Sequence, residues 1–173
     1  MKFLNALLPA LFAPVVLGGF LDASSTSDKA LKVPGDNPMY HCENPEENVL
    51  QLESVDLAPN PPQPGKTLTI TATGTLLETI KQGAQAHLQV KYGLITIVRQ
   101  TADLCDLVQN VNLHCPIEQG KLTLVKEVNL PKAIPPGMYT VSADVYTKEE
   151  DKITCLKAVQ GFNKLGVEKH EGL

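Results

Sequence analysis

The chain reads as an all-β domain, an antiparallel β-sandwich of about seven strands in two sheets. Three observations predict it. Apolar and polar residues alternate over run after run, the spacing that sends every second side chain to one face of a sheet. Proline, glycine and charged clusters punctuate those runs at short intervals. Only Leu76 to Gly83 hints at a short helix or turn.

The strands follow in order. Leu50 and Leu52, then Val55 and Leu57, alternate with polar neighbours, and the phase changes at Ser54 as a β-bulge requires. Asn60-Pro61-Pro62-Gln63-Pro64-Gly65 is a turn or an extended crossing, since its prolines offer no ladder donors. Thr67, Thr69, Thr71, Thr73 and Thr75 then face one way, with Leu68, Ile70, Ala72, Gly74 and Leu76 facing the other. That alternation marks a half-buried strand with a threonine-rich solvent face. Ala86, Leu88, Val90 and Tyr92 form the inner face of a third strand. Gly93 separates it from Leu94 to Arg99, where Ile95 and Ile97 share a face. Leu122, Leu124 and Val128 mark a strand over Lys121 to Leu130, and Ile134-Pro135-Pro136-Gly137 predicts a type II turn. Tyr139, Val141, Ala143 and Val145 make the sixth strand, Lys148-Glu149-Glu150-Asp151 a charged hairpin connection, and Ile153 to Phe162 the seventh strand. The arrangement is immunoglobulin-like in architecture only: the chain has no Trp, so the buried indole of true immunoglobulin domains is missing.

Residues 1–20 read as a signal peptide. Met1-Lys2 is positive, Phe3 to Leu17 is nearly all apolar, and Gly18-Gly19 follows. Pro9, Pro14 and the two glycines interrupt the run, and it falls short of the ~20 residues of a transmembrane helix. Residues 21–37, with Ser24-Ser25-Thr26-Ser27 and Val33-Pro34-Gly35-Asp36-Asn37-Pro38, read as a pro-segment or a loose N-terminal tail. The domain is then 38–173, and no later run is long enough to span a bilayer. The expected location is the secretory pathway, either secreted or in the vacuolar lumen.

Composition narrows the function by exclusion. With 15 Lys+Arg against 19 Asp+Glu the net charge is −4, which lacks the basic stripe of a nucleic-acid binder. A hydrophobic fraction of 43% with 20% charged residues argues against wholesale disorder. The four cysteines all follow the leader, which in a secreted chain implies disulfides. Cys105 and Cys115 bracket a loop while Cys42 and Cys155 sit near the domain ends, so the pairing favoured by spacing is Cys42–Cys155 and Cys105–Cys115. No CxxC suggests zinc or redox chemistry. There is no GxSxG, HExxH, P-loop or GxGxxG, and His41, His87, His114 and His170 are scattered. The sequence therefore argues for binding without catalysis, with no metal and no cofactor.

One ordered set of residues carries a resemblance. The block His114-Cys115-Pro116-Ile117-Glu118-Gln119-Gly120-Lys121, then Leu130-Pro131, Pro136-Gly137-Met138-Tyr139 and Ile153-Thr154-Cys155-Leu156, resembles the ML (MD-2-related lipid-recognition) domain family. The leader, the polar segment and the start at Pro38-Met39-Tyr40-His41-Cys42 are similar to its fungal phospholipid-transfer members. The resemblance implies an apolar cavity between the sheets and the same two disulfides. It also implies a monomeric lipid carrier that touches membranes transiently, with phosphatidylglycerol or phosphatidylinositol as cargo and a sterol as the rival. The class that competes with this one is a surface-recognition sandwich with a filled core. Under the resemblance the inward residues Leu88, Val90, Tyr92, Ile95, Ile97, Leu122, Leu124, Tyr139, Val141 and Leu156 line the pocket. Ile134 then stands near its mouth, and Lys132 is placed to meet a headgroup phosphate. From alternation alone each inward residue reads as core rather than pocket.

Overall fold

The computed structural model describes residues 31–111 and 113–163. The expected signal peptide, most of the expected tail and His170 lie outside them. In chain order the elements are β1 (Met39–His41), β2 (Leu50–Ala58), β3 (Thr67–Leu76), β4 (Gln85–Tyr92), β5 (Ile95–Asp103), α1 (Leu104–Gln109), β6 (Gly120–Asn129), β7 (Gly137–Tyr146) and β8 (Lys152–Phe162). One antiparallel sheet has the order β1-β8-β7-β4-β5 and the other β2-β3-β6. Among the described residues no helix is long and apolar enough to cross a membrane.

The alternation does what it predicts. On β3, Leu68, Gly74 and Leu76 are buried, whereas no threonine of the strand is. The phase change in β2 is a register shift between Leu52 and Ser54 against β3.

The structure sharpens several expectations. Among the described residues there are eight strands, in keeping with the expected seven or so; the added one, β1, has three residues, too few for an alternation to show, and is held by pairing of Met39 to Ala158 and His41 to Leu156. Helix falls at α1, inside the Cys105–Cys115 loop, where the Asp103 side chain accepts from the Cys105 N–H at 2.8 Å as an N-cap. The Leu76 to Gly83 stretch, expected as a short helix or turn, carries a turn at Gln82-Gly83, and within it Ile80 and Ile117 exchange backbone hydrogen bonds, both at 2.9 Å. Pro136 forms a bend with Gly137 at φ +151°, well away from the ~80° of a type II turn. A Cβ on Gly137 would collide with the Tyr92 ring.

Packing begins earlier in the chain than residue 38. Val33 is fully buried, and Lys32 bridges to Tyr40. Asn37 donates from Nδ2 to the Val33, Pro34 and Val55 carbonyls, the last at 2.7 Å, and its Oδ1 accepts from the Met39 N–H at 2.7 Å. Gly35, at φ +103°, lies against the Val55 carbonyl, where no side chain fits. The turn-forming residues at the end of the expected pro-segment or loose tail are thus a knot that pins residues 33–37 to β2.

The core is split along the strands. One cluster joins Val49, Leu76, Ile80, Ala84, Ala86, Val145 and Ile153 with Leu104, Leu107 and Ile117 of the loop region. It closes the end of the sandwich where β4 starts and β7 stops, since Gln85 pairs with Asp103 and Tyr146. The second cluster, Val33, Val55, Leu57 and Leu68, lies toward the other end.

Both disulfides form as the spacing suggests, Cys42–Cys155 and Cys105–Cys115. Beside the first, His41 is only 6% exposed and its Nδ1 has no hydrogen-bond partner. Burial holds its pKa below the ordinary 6.5. The folded ring therefore stays neutral where the unfolded one takes up a proton. This contribution to stability is complete above pH 6.5 and lost as the pH falls below it. Melting temperatures taken on either side of pH 6.5 should show a smaller acid-side loss in His41→Leu than in the parent. Equal slopes in both proteins would refute the assignment.

Candidate functional site

At the end opposite the first cluster the sheets part around a cavity of about 750 Å3. Strand position decides what lines it. β4 buries Ala86 in the closed end, then contributes Val90 and Tyr92 to the cavity. β3 likewise ends in buried Leu76 but offers Leu68 and Ile70 at its start. β7 and β8 add Tyr139, Val141, Ala158 and Phe162, and the mouth is framed by Pro62 on one side and by Pro131, Ala133, Ile134 and Pro135 on the other. The two mouth segments are tied together: Gly65 N–H donates to the Pro131 carbonyl and Leu130 N–H to the Lys66 carbonyl, each at 3.0 Å.

Polar groups in the wall are few. Tyr92 donates its hydroxyl to the Pro136 carbonyl at 2.8 Å and Tyr139 to the Pro135 carbonyl at 2.9 Å, so both phenols turn away to hold the rim. Burial, with Tyr92 beside it, pushes the Tyr139 pKa up, which keeps the phenol neutral. The two rings lie 5.2 Å apart, and Phe162 meets Tyr139 edge-on at 5.5 Å, an aromatic floor to the mouth. Gln160 is the single amide in the wall. Its Nε2 donates to the Gly161 carbonyl at 2.8 Å, and its Oε1 is buried without a protein partner.

Of the residues singled out from sequence, Val90, Tyr92, Ile97, Ile134, Tyr139 and Val141 line this cavity. Leu122 instead packs on the closed-end cluster and Leu156 on the second cluster. Leu88 and Leu124 are half-buried outside the wall, and Ile95 is 67% exposed at the start of β5. Lys132 is exposed on the rim between Pro131 and Ala133, which both line the cavity. Sequence reasoning missed Met39, Leu57, Leu68, Ile70, Ala158 and Phe162, although Leu57, Leu68 and Ile70 sit on apolar alternation faces. It also missed the prolines as parts of the wall.

No other part of the described residues rivals this site. Depressions at the closed end are walled by polar side chains such as Gln82, Asp103, His114 and Lys148. Cys42, Asp144 and Cys155 approach one another closely enough for a metal, but both sulfurs are spent in a disulfide. The arrangement suits a ligand that is apolar over most of its length and asks almost nothing of the wall but exclusion of water.

The comparisons with known proteins agree with that geometry. The ML domain profile matches residues 36–160. A phosphatidylglycerol/phosphatidylinositol transfer protein of Aspergillus fumigatus is 60% identical over 126 residues, covering 73% of this chain and 72% of the relative. Its counterpart in Aspergillus oryzae is 53% identical over 167 residues, covering 92% and 95%. Among solved structures, a Niemann–Pick type C2 protein from the Japanese carpenter ant superposes with a TM-score of 0.53 at 14% identity, covering 72% of this chain and 98% of that one. That last likeness shows the fold.

Proposed function

We propose a function from the premise that this chain belongs to the ML domain family: it binds one phospholipid at a time and carries it between membranes. The observation that carries the proposal is the apolar cavity of about 750 Å3 open at one end, within the ~300–1,000 Å3 of small-molecule sites. Burying a chain gains about 0.8 kcal/mol per methylene, so a long acyl tail returns on the order of 10 kcal/mol. The names of the Aspergillus relatives favour phosphatidylglycerol or phosphatidylinositol as cargo. In this reading the tails enter past Ile134 toward Tyr139 and Val141. Lys132 meets the phosphate at the rim, and Gln160 Oε1 offers the one buried acceptor to a hydroxyl-bearing ligand. The protein works by shielding and release, with no covalent step. Its two disulfides favour an oxidising compartment of the secretory pathway, where the leader would direct it.

Native mass spectrometry of the protein purified without detergent, followed by organic extraction, tests this. One phosphatidylglycerol or phosphatidylinositol per chain is the expected result, together with exchange of labelled phosphatidylglycerol between vesicles. An empty protein that moves no labelled lipid refutes the carrier. A sterol as sole cargo keeps the carrier and replaces the ligand.

A further inference from the structure

The open end carries an outer surface that holding a lipid does not explain. The β4–β5 hairpin turns at Gly93-Leu94, and Leu94 is 99% exposed, so its whole side chain stands in solvent. Ile95 beside it is 67% exposed. Met138, whose carbonyl accepts from the Gly93 N–H at 2.9 Å, is 51% exposed. Scattered exposed apolar residues are ordinary, but these are contiguous and adjoin the cavity through Tyr92 and Tyr139. Leu94, Ile95 and Met138 are not themselves in its wall.

Charge is segregated at the same place. The segments that build this end, residues 59–66, 91–95, 130–138 and 160–162, hold Lys66, Lys91 and Lys132 and no Asp or Glu, in a chain of net charge −4. Among the described residues, acids that flank these segments are set back or occupied. Glu127 lies opposite Thr69, inside the β3–β6 ladder, and Asp36 accepts from Asn60 Nδ2 at 2.7 Å. An apolar tip within a cationic rim is the complement of an anionic bilayer surface, whose phosphates attract lysines while its interface takes up aliphatic side chains.

We propose that this end docks on anionic lipid bilayers, with Leu94 and Ile95 entering the interface and Lys66, Lys91 and Lys132 facing the phosphates. The proposal rests on the carrier reading, because it sets the cavity mouth against the membrane from which a lipid would leave. It goes further in naming the docking surface and the charge of the membrane.

Flotation of the full protein with phosphatidylcholine vesicles, with and without phosphatidylglycerol, tests it beside Leu94→Asp and the pair Lys66→Gln with Lys91→Gln. Binding should need phosphatidylglycerol and weaken with salt. Leu94→Asp should lower vesicle affinity and transfer rate about tenfold or more, since it removes a whole leucine from the interface. Loading of a soluble short-chain fluorescent phospholipid should not change in Leu94→Asp. The lysine pair should flatten the salt dependence. Unchanged flotation of Leu94→Asp, or equal binding to vesicles lacking phosphatidylglycerol, would overturn the proposal. So would a dimer that Leu94→Asp splits, which would make the patch a contact between two copies. Failure of both parent and variant to load the soluble lipid would overturn the carrier reading instead, and flotation would still score the docking surface.

Discussion

Ala158→Trp is expected to abolish lipid loading while leaving the sandwich folded. Ala158 sits on β8 between two other lining residues, paired to Met39 on one side and Val141 on the other, so an indole there projects into the middle of the cavity. It takes the room of roughly five methylenes, and at about 0.8 kcal/mol each the acyl chain loses about 4 kcal/mol of burial. That is about a thousandfold in affinity. The free protein moves the opposite way. At ~24 cal/mol per Å3 of empty volume, filling about 100 Å3 offsets about 2 kcal/mol. Lipid per chain by mass spectrometry and the urea midpoint of delipidated protein read both effects. Retained loading at parental affinity would mean that the ligand lies elsewhere.

Removing the Cys42–Cys155 bridge should cost more than removing Cys105–Cys115. The first spans 113 residues and the second 10. In the chain-entropy account the losses are about 5 and about 3 kcal/mol. The larger is a sizeable share of the ~5–15 kcal/mol that holds a typical domain together. Cys42→Ala with Cys155→Ala should therefore populate unfolded protein in mild urea, while Cys105→Ala with Cys115→Ala stays folded with a lowered midpoint. Equal losses would show that strain or residual structure in the unfolded chain, and not loop length, sets the contribution of each bridge.

Much of this fold is legible in the chain because alternation has a single physical meaning in a half-buried strand. The threonine face of β3 and the phase slip at Ser54 translate directly into faces and a bulge. What alternation does not carry is distance along the strand. Leu122 and Ile70 show the same pattern, yet one packs in the closed end and the other lines the cavity, because the gap between the sheets widens along their length. Residues 33–37 were illegible for another reason. Their order rests on one asparagine amide reaching three carbonyls, and a sequence pattern built on apolar spacing is blind to such a polar knot. The mouth prolines read as punctuation, since their effect on the ladder is local and their contribution to a wall depends on which loops meet.

The division of the sandwich into two halves has a mechanical consequence. Every covalent cross-link, and the larger packed cluster, lies on the side away from the mouth: Cys105 follows the strand end that meets Gln85, and Cys155 pairs with Asp144 of β7. The rim is held by single hydrogen bonds, such as those from Tyr92 and Tyr139 to the proline carbonyls. Breathing of the rim and unfolding of the domain are then separate events with separate barriers. The first breaks a few bonds worth ~1 kcal/mol each, whereas the second must dismantle the stapled base. Such a molecule can open at its rim without approaching denaturation, as a hinge does when its pin is sunk in the thicker leaf.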